Sequence, residues 1–249
     1  MKKHMYAYGV LALAGLLTTS VYAASASGIG SFEGEEEPTV VYDVSDGGTR
    51  SDSYDNMVSA SNGMKATLRF RRNDWWDGDR NTSSTDRGRA EVKGLGAHQK
   101  SNETFEYRTN WRTSSGFKVS GKFCHLFQLK ATNGSYTGAP LIVSSLHSTS
   151  SQSVRYNSNT AEDFATARSF SYSTNSFQDL RIRVKTASSG GFVTVSVGGG
   201  SFSGATNKNI TRSGASDYRP KWGLYRGFAA NDDVNDGSIE HTNVQSNKI

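Results

Sequence analysis

The chain has 249 residues, with 28 Lys and Arg against 23 Asp and Glu, 26 Gly, three Pro and one Cys. A single Cys excludes an internal disulfide framework and a Cys-based zinc cluster. Charged residues make up only 20% and apolar ones 35%; the polarity rests on Ser, Thr, Asn and Gly, which argues against a helical bundle and for one large all-β domain.

The first 23 residues read as a secretory signal peptide. Lys2 and Lys3 give a basic start, Val10 to Leu17 an apolar run, and Val21-Tyr22-Ala23 a small-residue end. The apolar run is short for a bilayer span. A secreted, soluble monomer with no membrane partner is expected. Residues 24–39 form a polar N-terminal arm or linker, and residues 40–249 are taken as the folded domain.

From there on, β-prone runs alternate with turn signals. Lys65–Phe70, Thr104–Trp111, Lys122–Lys130, Pro140–Leu146, Asp179–Lys185 and Phe192–Val197 are predicted strands. DLRIRVK, ASSGG and FVTVSV predict a hairpin, and the Gly-rich VGGGSFSG at 197–204 predicts a turn. No stretch keeps a helical period. Many short strands in one domain predict two antiparallel sheets packed face to face, with one curved sheet offering a groove for a linear ligand.

The charge is localised. Arg69 to Lys130 holds 13 basic and seven acidic side chains, an excess of six positive charges, interleaved with Trp75, Trp76, Tyr107 and Trp111. Cations with aromatics suit an acidic polymer. Nucleic acid is not expected, because no recognisable module frames the aromatics. An acidic polysaccharide is expected, with Trp faces stacking on sugar rings.

Three segments carry candidate chemistry. In DRGRAEVKGLG (86–96), Arg89, Glu91 and Lys93 fall on one strand face, where Glu91 can hold both cations by charged hydrogen bonds. In FCHLFQLKATNG (123–134), strict alternation puts Gln128 and Lys130 in the groove and His125 with Phe127 and Leu129 on the apolar face. His125 is therefore expected to serve folding more than chemistry. In RPKWGLYRG (219–227), Lys221 and Tyr225 share a face, and Tyr225 beside Lys221 and Arg226 would titrate below its usual range. Glu-x-Asp-x-Glu, G-x-S-x-G, H-E-x-x-H and P-loop patterns are absent from the sequence.

These segments, in this order, resemble the jelly-roll polysaccharide lyases. The alginate lyases of that fold carry Arg-Thr-Glu-Leu-Arg, Gln-Ile-His and Lys-x-Gly-x-Tyr; here Lys93 replaces the second Arg and Lys130 the His. The text WWDGDR, RAEVKGLGAHQK, ETFEYRTNWRT, FCHLFQLKATNG, KWGLYRG and IEHTNV is similar to the endo-β-1,4-glucuronan lyase family over most of residues 40–247. The resemblance implies an all-β jelly-roll (concanavalin-like) sandwich and a secreted lyase that cleaves a polyuronate by β-elimination. Glucuronan is the first substrate and alginate an alternative. A non-catalytic carbohydrate-binding module or lectin on the same scaffold is the other alternative.

The resemblance also implies roles. Gln128, Arg89 and Lys130 would neutralise the uronate carboxylate. Tyr225 would take the C5 proton and return one to the leaving oxygen. His98 is the candidate if a histidine is the base, and His147 the second. Glu91, Lys93, Lys221, Arg226, Trp76 and Arg80 would line the substrate groove. No cofactor is required for the chemistry. A structural calcium is implied, with Asp233, Asp236, Glu240 and Glu33 as candidate ligands and Asn231, Asp232 and Asp43 nearby.

Overall fold

The computed structural model describes residues 39–42, 56–60, 63–68, 87–93, 98–134, 139–157, 163–229, 234 and 237–249; in the first four segments it describes the backbone path and the Glu91 side chain. The expected signal peptide and most of the N-terminal arm lie outside these residues. Among them, no helix is long and apolar enough to cross a membrane.

The described elements are all strands. One sheet joins, in spatial order, β1 (Thr39–Tyr42), β4 (Arg87–Lys93), β14 (Asp217–Gly227), β7 (Phe123–Ala131), β8 (Ile142–Leu146), β9 (Ser151–Tyr156) and β10 (Ala165–Ser171), with β5 (Gln99–Lys100) paired to one end of β14. The other sheet runs β13 (Ser203–Lys208), β12 (Gly191–Val197), β11 (Gln178–Lys185), β6 (Thr104–Thr113), β15 (Gly237–Lys248), β3 (Gly63–Leu68) and β2 (Asn56–Ala60). Every pairing is antiparallel. The architecture is an all-β jelly-roll sandwich with a curled half-barrel sheet.

Period-2 alternation explains the packing. On β6, Phe105, Tyr107 and Trp111 point inward while Glu106, Arg108, Asn110 and Arg112 point out. β11 does the same with Leu180, Ile182 and Val184, and the predicted hairpin to β12 pairs Leu180 with Val197 through Lys185 with Phe192. From the facing sheet come Cys124, Leu126, Phe127 and Leu129 of β7 and Tyr218, Trp222 and Leu224 of β14. The aromatics meet across the core. Phe127 lies 4.4 Å from Trp222 and 5.1 Å from Tyr107, centroid to centroid. Burying each such ring contributes about 1.5–3 kcal/mol from area alone, with further gain from the tilted ring geometry.

Two departures from alternation shape the first sheet. Trp222 of β14 opposes Phe127, and Tyr225 opposes His125, so Gly223 and Leu224 together face Leu126. On its other side, β7 spends Leu126 as an extra residue against β8, where His125 opposes Ser145 and Phe127 opposes Ser144. These are β-bulges, which re-aim side chains. Leu126 and Phe127 are both buried in the core as a result. The phase of β7 therefore changes between them, and His125 moves to the outer face together with Gln128. This corrects the expectation that His125 lies on the apolar side.

Candidate active site

Register places the candidate residues in two transverse rows on the outer face of the first sheet. The first row runs Arg89 (β4), Tyr225 (β14), His125 (β7), Ser145 (β8) and Ser153 (β9). The second runs Lys93, Lys221, Gln128, Val143 and Arg155 on the same five strands. Directly opposed residues share a face, and neighbouring strands lie roughly 4.8 Å apart. Each row is thus a line of residues that crosses the strands at about that spacing.

The second row is tightly built. Gln128 is 2% exposed and Glu91 0%. The Gln128 Nε2 donates to Glu91 Oε1 at 2.5 Å, and the Lys221 ammonium stands 3.9 Å from Glu91 Oε2. Glu91 opposes Gly223, and Gln128 opposes Lys221. The carboxylate and carboxamide therefore meet over β14 where Gly223 supplies no side chain. That is a physical reason for glycine between Lys221 and Tyr225.

The first row holds the proton-transfer candidates. Tyr225 is partly buried, its ring edge-on to Phe123 at 4.8 Å and to His125 at 6.1 Å. His125 stacks on Phe123 at 4.8 Å, and its Nδ1 is 2.7 Å from Ser145 Oγ. Burial, then the charges of Arg155 and His147, push its pKa down to about 3. Its imidazole is neutral near pH 7, and Nε2 is the ring atom left for a ligand. His147, just beyond β8, closes the row with Nε2 2.6 Å from Ser153 Oγ; burial and Arg155 hold its pKa below the usual value.

Several expected residues stand elsewhere. His98 bonds Asp217 at 3.0 Å, beside Lys100 at 3.2 Å from the same carboxylate. Asp217 lies eight residues before Tyr225 on β14, roughly 26 Å at 3.3 Å per residue. His98 cannot share a sugar unit with Tyr225, and His125 occupies the histidine position beside the phenol. Arg226 is fully buried on the core face, over the rings of Phe117 and Phe228 at 5.4 and 5.6 Å. Alternation explains this: with Tyr225 outward, its neighbour points in. Lys130 opposes Arg219, two residues along β7 from Gln128, and extends the cationic face. Trp76 and Arg80 lie outside the described residues, and for Arg89 and Lys93 only the register position is described.

Glu240 does not fit a calcium ligand. It sits on the opposite sheet with its Oε2 held by Arg112 Nη2 at 2.8 Å and Nε at 3.0 Å. Asp233, Asp236, Glu33, Asn231, Asp232 and Asp43 lie outside the described residues. Among the described residues no group of three or more His, Cys, Asp or Glu gathers around a common point.

The sequence reading missed His125, Ser145, Ser153 and Arg155. One signal was available for His125: Leu126, Phe127 and Leu129 are all large and apolar, and a regular strand cannot bury all three on one side.

No protein-family model matches the chain, and no curated protein matches it in sequence. The fold, however, is that of the jelly-roll polysaccharide lyases. The chain is similar to endo-β-1,4-glucuronan lyase from the fungus Trichoderma reesei, with a TM-score of 0.60 at 16% identity over 86% of this chain and 89% of that one. It is similar also to an alginate lyase from Pseudomonas aeruginosa, with a TM-score of 0.52 at 14% identity over 81% and 88%. A family 7 alginate lyase solved with bound substrate gives 0.54 at 12% identity over 80% and 83%.

Proposed function

We propose that the protein is a secreted polyuronate lyase acting by β-elimination, with β-1,4-glucuronan as its substrate. The observation that carries this reading is the pair of rows. A phenol and a neutral imidazole stand side by side in one, and a carboxamide braced by Glu91 and Lys221 lies in the next. The fold shared with glucuronan and alginate lyases and the basic excess of residues 69–130 support it, as does the leader-like segment 1–23.

In this reading the uronate carboxylate lies over the second row. The C5 proton is weakly acidic, and its removal pushes charge onto that carboxylate. A second N–H of Gln128 and the Lys221 ammonium offset the charge, with Arg89 and Lys93 of β4 in register beside them. The C5–H bond breaks, its electrons form the C4–C5 double bond, and the C4–O4 bond breaks. Tyr225 or His125 accepts the C5 proton. In a glucuronate unit H5 and O4 lie on the same side, so one tyrosine serves as base and then protonates O4. Tyr225 enters this route as the phenolate and regains that form when O4 takes the proton.

Incubation with glucuronan, alginate and related polymers tests the reading. Unsaturated uronate ends, seen by ultraviolet absorbance and mass spectrometry, are expected with glucuronan first. Binding without chain shortening, unchanged in Tyr225→Phe, would instead identify a carbohydrate-binding module.

A further inference from the structure

We infer that His241, on the sheet opposite the candidate site, is a positioning residue that holds the bulge between β14 and β7 and so keeps His125 beside Tyr225 in the groove; this rests on the lyase reading above. The argument starts at the bulge. Gly223 and Leu224 both oppose Leu126, and a bulge leaves a backbone group without its ladder partner. A buried carbonyl without a partner is costly, so one must be supplied. The Gly223 oxygen receives it from across the core, from His241 Nε2 at 3.2 Å.

The hydrogen-bond chemistry fixes the ring. A carbonyl only accepts, so Nε2 carries the hydrogen. Nδ1 then holds a lone pair and accepts from Thr109 Oγ1, 3.2 Å away on β6. His241 is 0% exposed and stands edge-on to Trp222 at 6.0 Å. Burial lowers its pKa to about 4, which keeps the ring neutral with a single N–H. The ring therefore has one tautomer and one orientation, tied at both ends.

The consequence lies at the pairing of His125 with Tyr225. Gly223 has φ 144°, a region glycine favours, and sits midway between Lys221 and Tyr225. Were the bulge to relax into regular pairing, β7 would slip by one residue against β14, whose own facing is fixed by its regular pairing with β4. A slip of one residue exchanges the two faces of a strand. His125 would turn inward and leave the phenol of Tyr225. His241 holds the carbonyl that prevents this.

The test compares His241→Leu, which keeps volume but no donor, with His241→Gln, whose amide can donate to Gly223 and accept from Thr109. Full-length protein is assayed on the polyuronate the wild type cleaves. His241→Leu should lower kcat by about 10²-fold, the scale of a misplacement near 1 Å, with KM changed far less, and His241→Gln should recover most of the loss. Hydrogen exchange at Gly223 to Arg226 should quicken in His241→Leu alone, and nitrogen shifts of wild-type His241 should report the Nε2–H tautomer. A folded His241→Leu with wild-type kcat and unchanged exchange would overturn the inference, as would an Nδ1–H tautomer. If the wild type cleaves no polyuronate, the lyase reading fails by itself, and exchange and tautomer still decide whether His241 sets the register. If His241→Leu does not fold, the wild-type tautomer and His241→Gln decide it.

Discussion

The Gln128 carboxamide and the Glu91 carboxylate are joined by a 2.5 Å hydrogen bond that spans β14, tying β7 to β4 above the strand that separates them. Both side chains are buried, and Lys221 is the nearby cation. Removing Glu91 takes away the carboxylate that faces the Lys221 ammonium and accepts from the Gln128 amide. Glu91→Ala is expected to cost about 3–5 kcal/mol, the range for breaking a buried charged pair; Glu91→Gln, which keeps an acceptor for Gln128, should cost clearly less. Urea unfolding of the three proteins measures this. Equal stability of Glu91→Ala and wild type would mean that the pair does not organise the groove.

Gln128→Ala separates binding from brace. It deletes the donor aimed at the substrate carboxylate and leaves Glu91 Oε1 without its bond. The stability loss should be about 1–3 kcal/mol, while kcat should fall by roughly 10²–10³, as when one preorganised donor to developing charge is removed. A normal kcat in a folded Gln128→Ala would place carboxylate neutralisation elsewhere.

Much of this arrangement is legible in the sequence, and the exceptions share a cause. Alternation groups Lys221 with Tyr225 on β14, because that strand pairs with β4 without a bulge. It fails on β7, where the extra residue at Leu126 changes the phase and moves His125 to the other face. The same failure hides β15. Its inward residues Ile239 and His241 are followed by Val244 and Ser246, shifted by a bulge between Thr242 and Gln245 with Asn243 at φ 53°. His98 misleads for another reason: proximity in sequence to the Arg-x-Glu-x-Lys strand says nothing about position along β14, where pairing of Lys100 with Asp217 carries it to the far end.

Gly223 is where sequence and geometry meet most tightly. Its φ of 144° disfavours any side chain, and it opposes Glu91, whose carboxylate bonds Gln128 on the far side of β14. Gly223→Ala is expected to cost about 1–3 kcal/mol through backbone strain and to lower kcat as well, because the bridge is displaced. Gly190→Ala is the control: it too has positive φ, at 67°, but a Cβ there meets nothing within 4 Å. It should lose stability with no change in kcat. Matching kinetic losses in both would show that strain alone, and not the bridge, is responsible.

Tyr225→Phe and His125→Gln divide the proton-transfer work. Tyr225→Phe keeps the ring contact with Phe123 and should leave stability within about 0.5 kcal/mol while lowering kcat by roughly 10²–10⁴, the usual share of a general acid or base. His125→Gln keeps a polar group near Ser145 Oγ and removes the imidazole. A large kinetic loss in a normally stable His125→Gln is expected from the outer-face position. If His125→Gln instead loses stability and keeps its rate, the imidazole is structural after all.

Acid should destabilise the protein through two imidazoles. Burial, followed by Arg155 and His147, sets His125 at about 3, and burial sets His241 at about 4 against an upward pull from its bond to Gly223. In the unfolded chain each titrates near ~6.5. Both folded values are depressed, so each contribution is complete above the unfolded value and lost as pH falls toward the folded one. Between roughly pH 4.5 and 6 the unfolded chain binds up to two more protons, and stability should rise with pH by as much as about 2.7 kcal/mol per unit. His241→Gln removes one of the two and should halve that slope. Urea unfolding at half-unit steps from pH 4.5 to 7.5 measures both proteins. A flat wild-type curve below pH 6 would mean that these rings are hydrated and free to ionise, and the imidazole beside Tyr225 would then carry a charge at mildly acid pH.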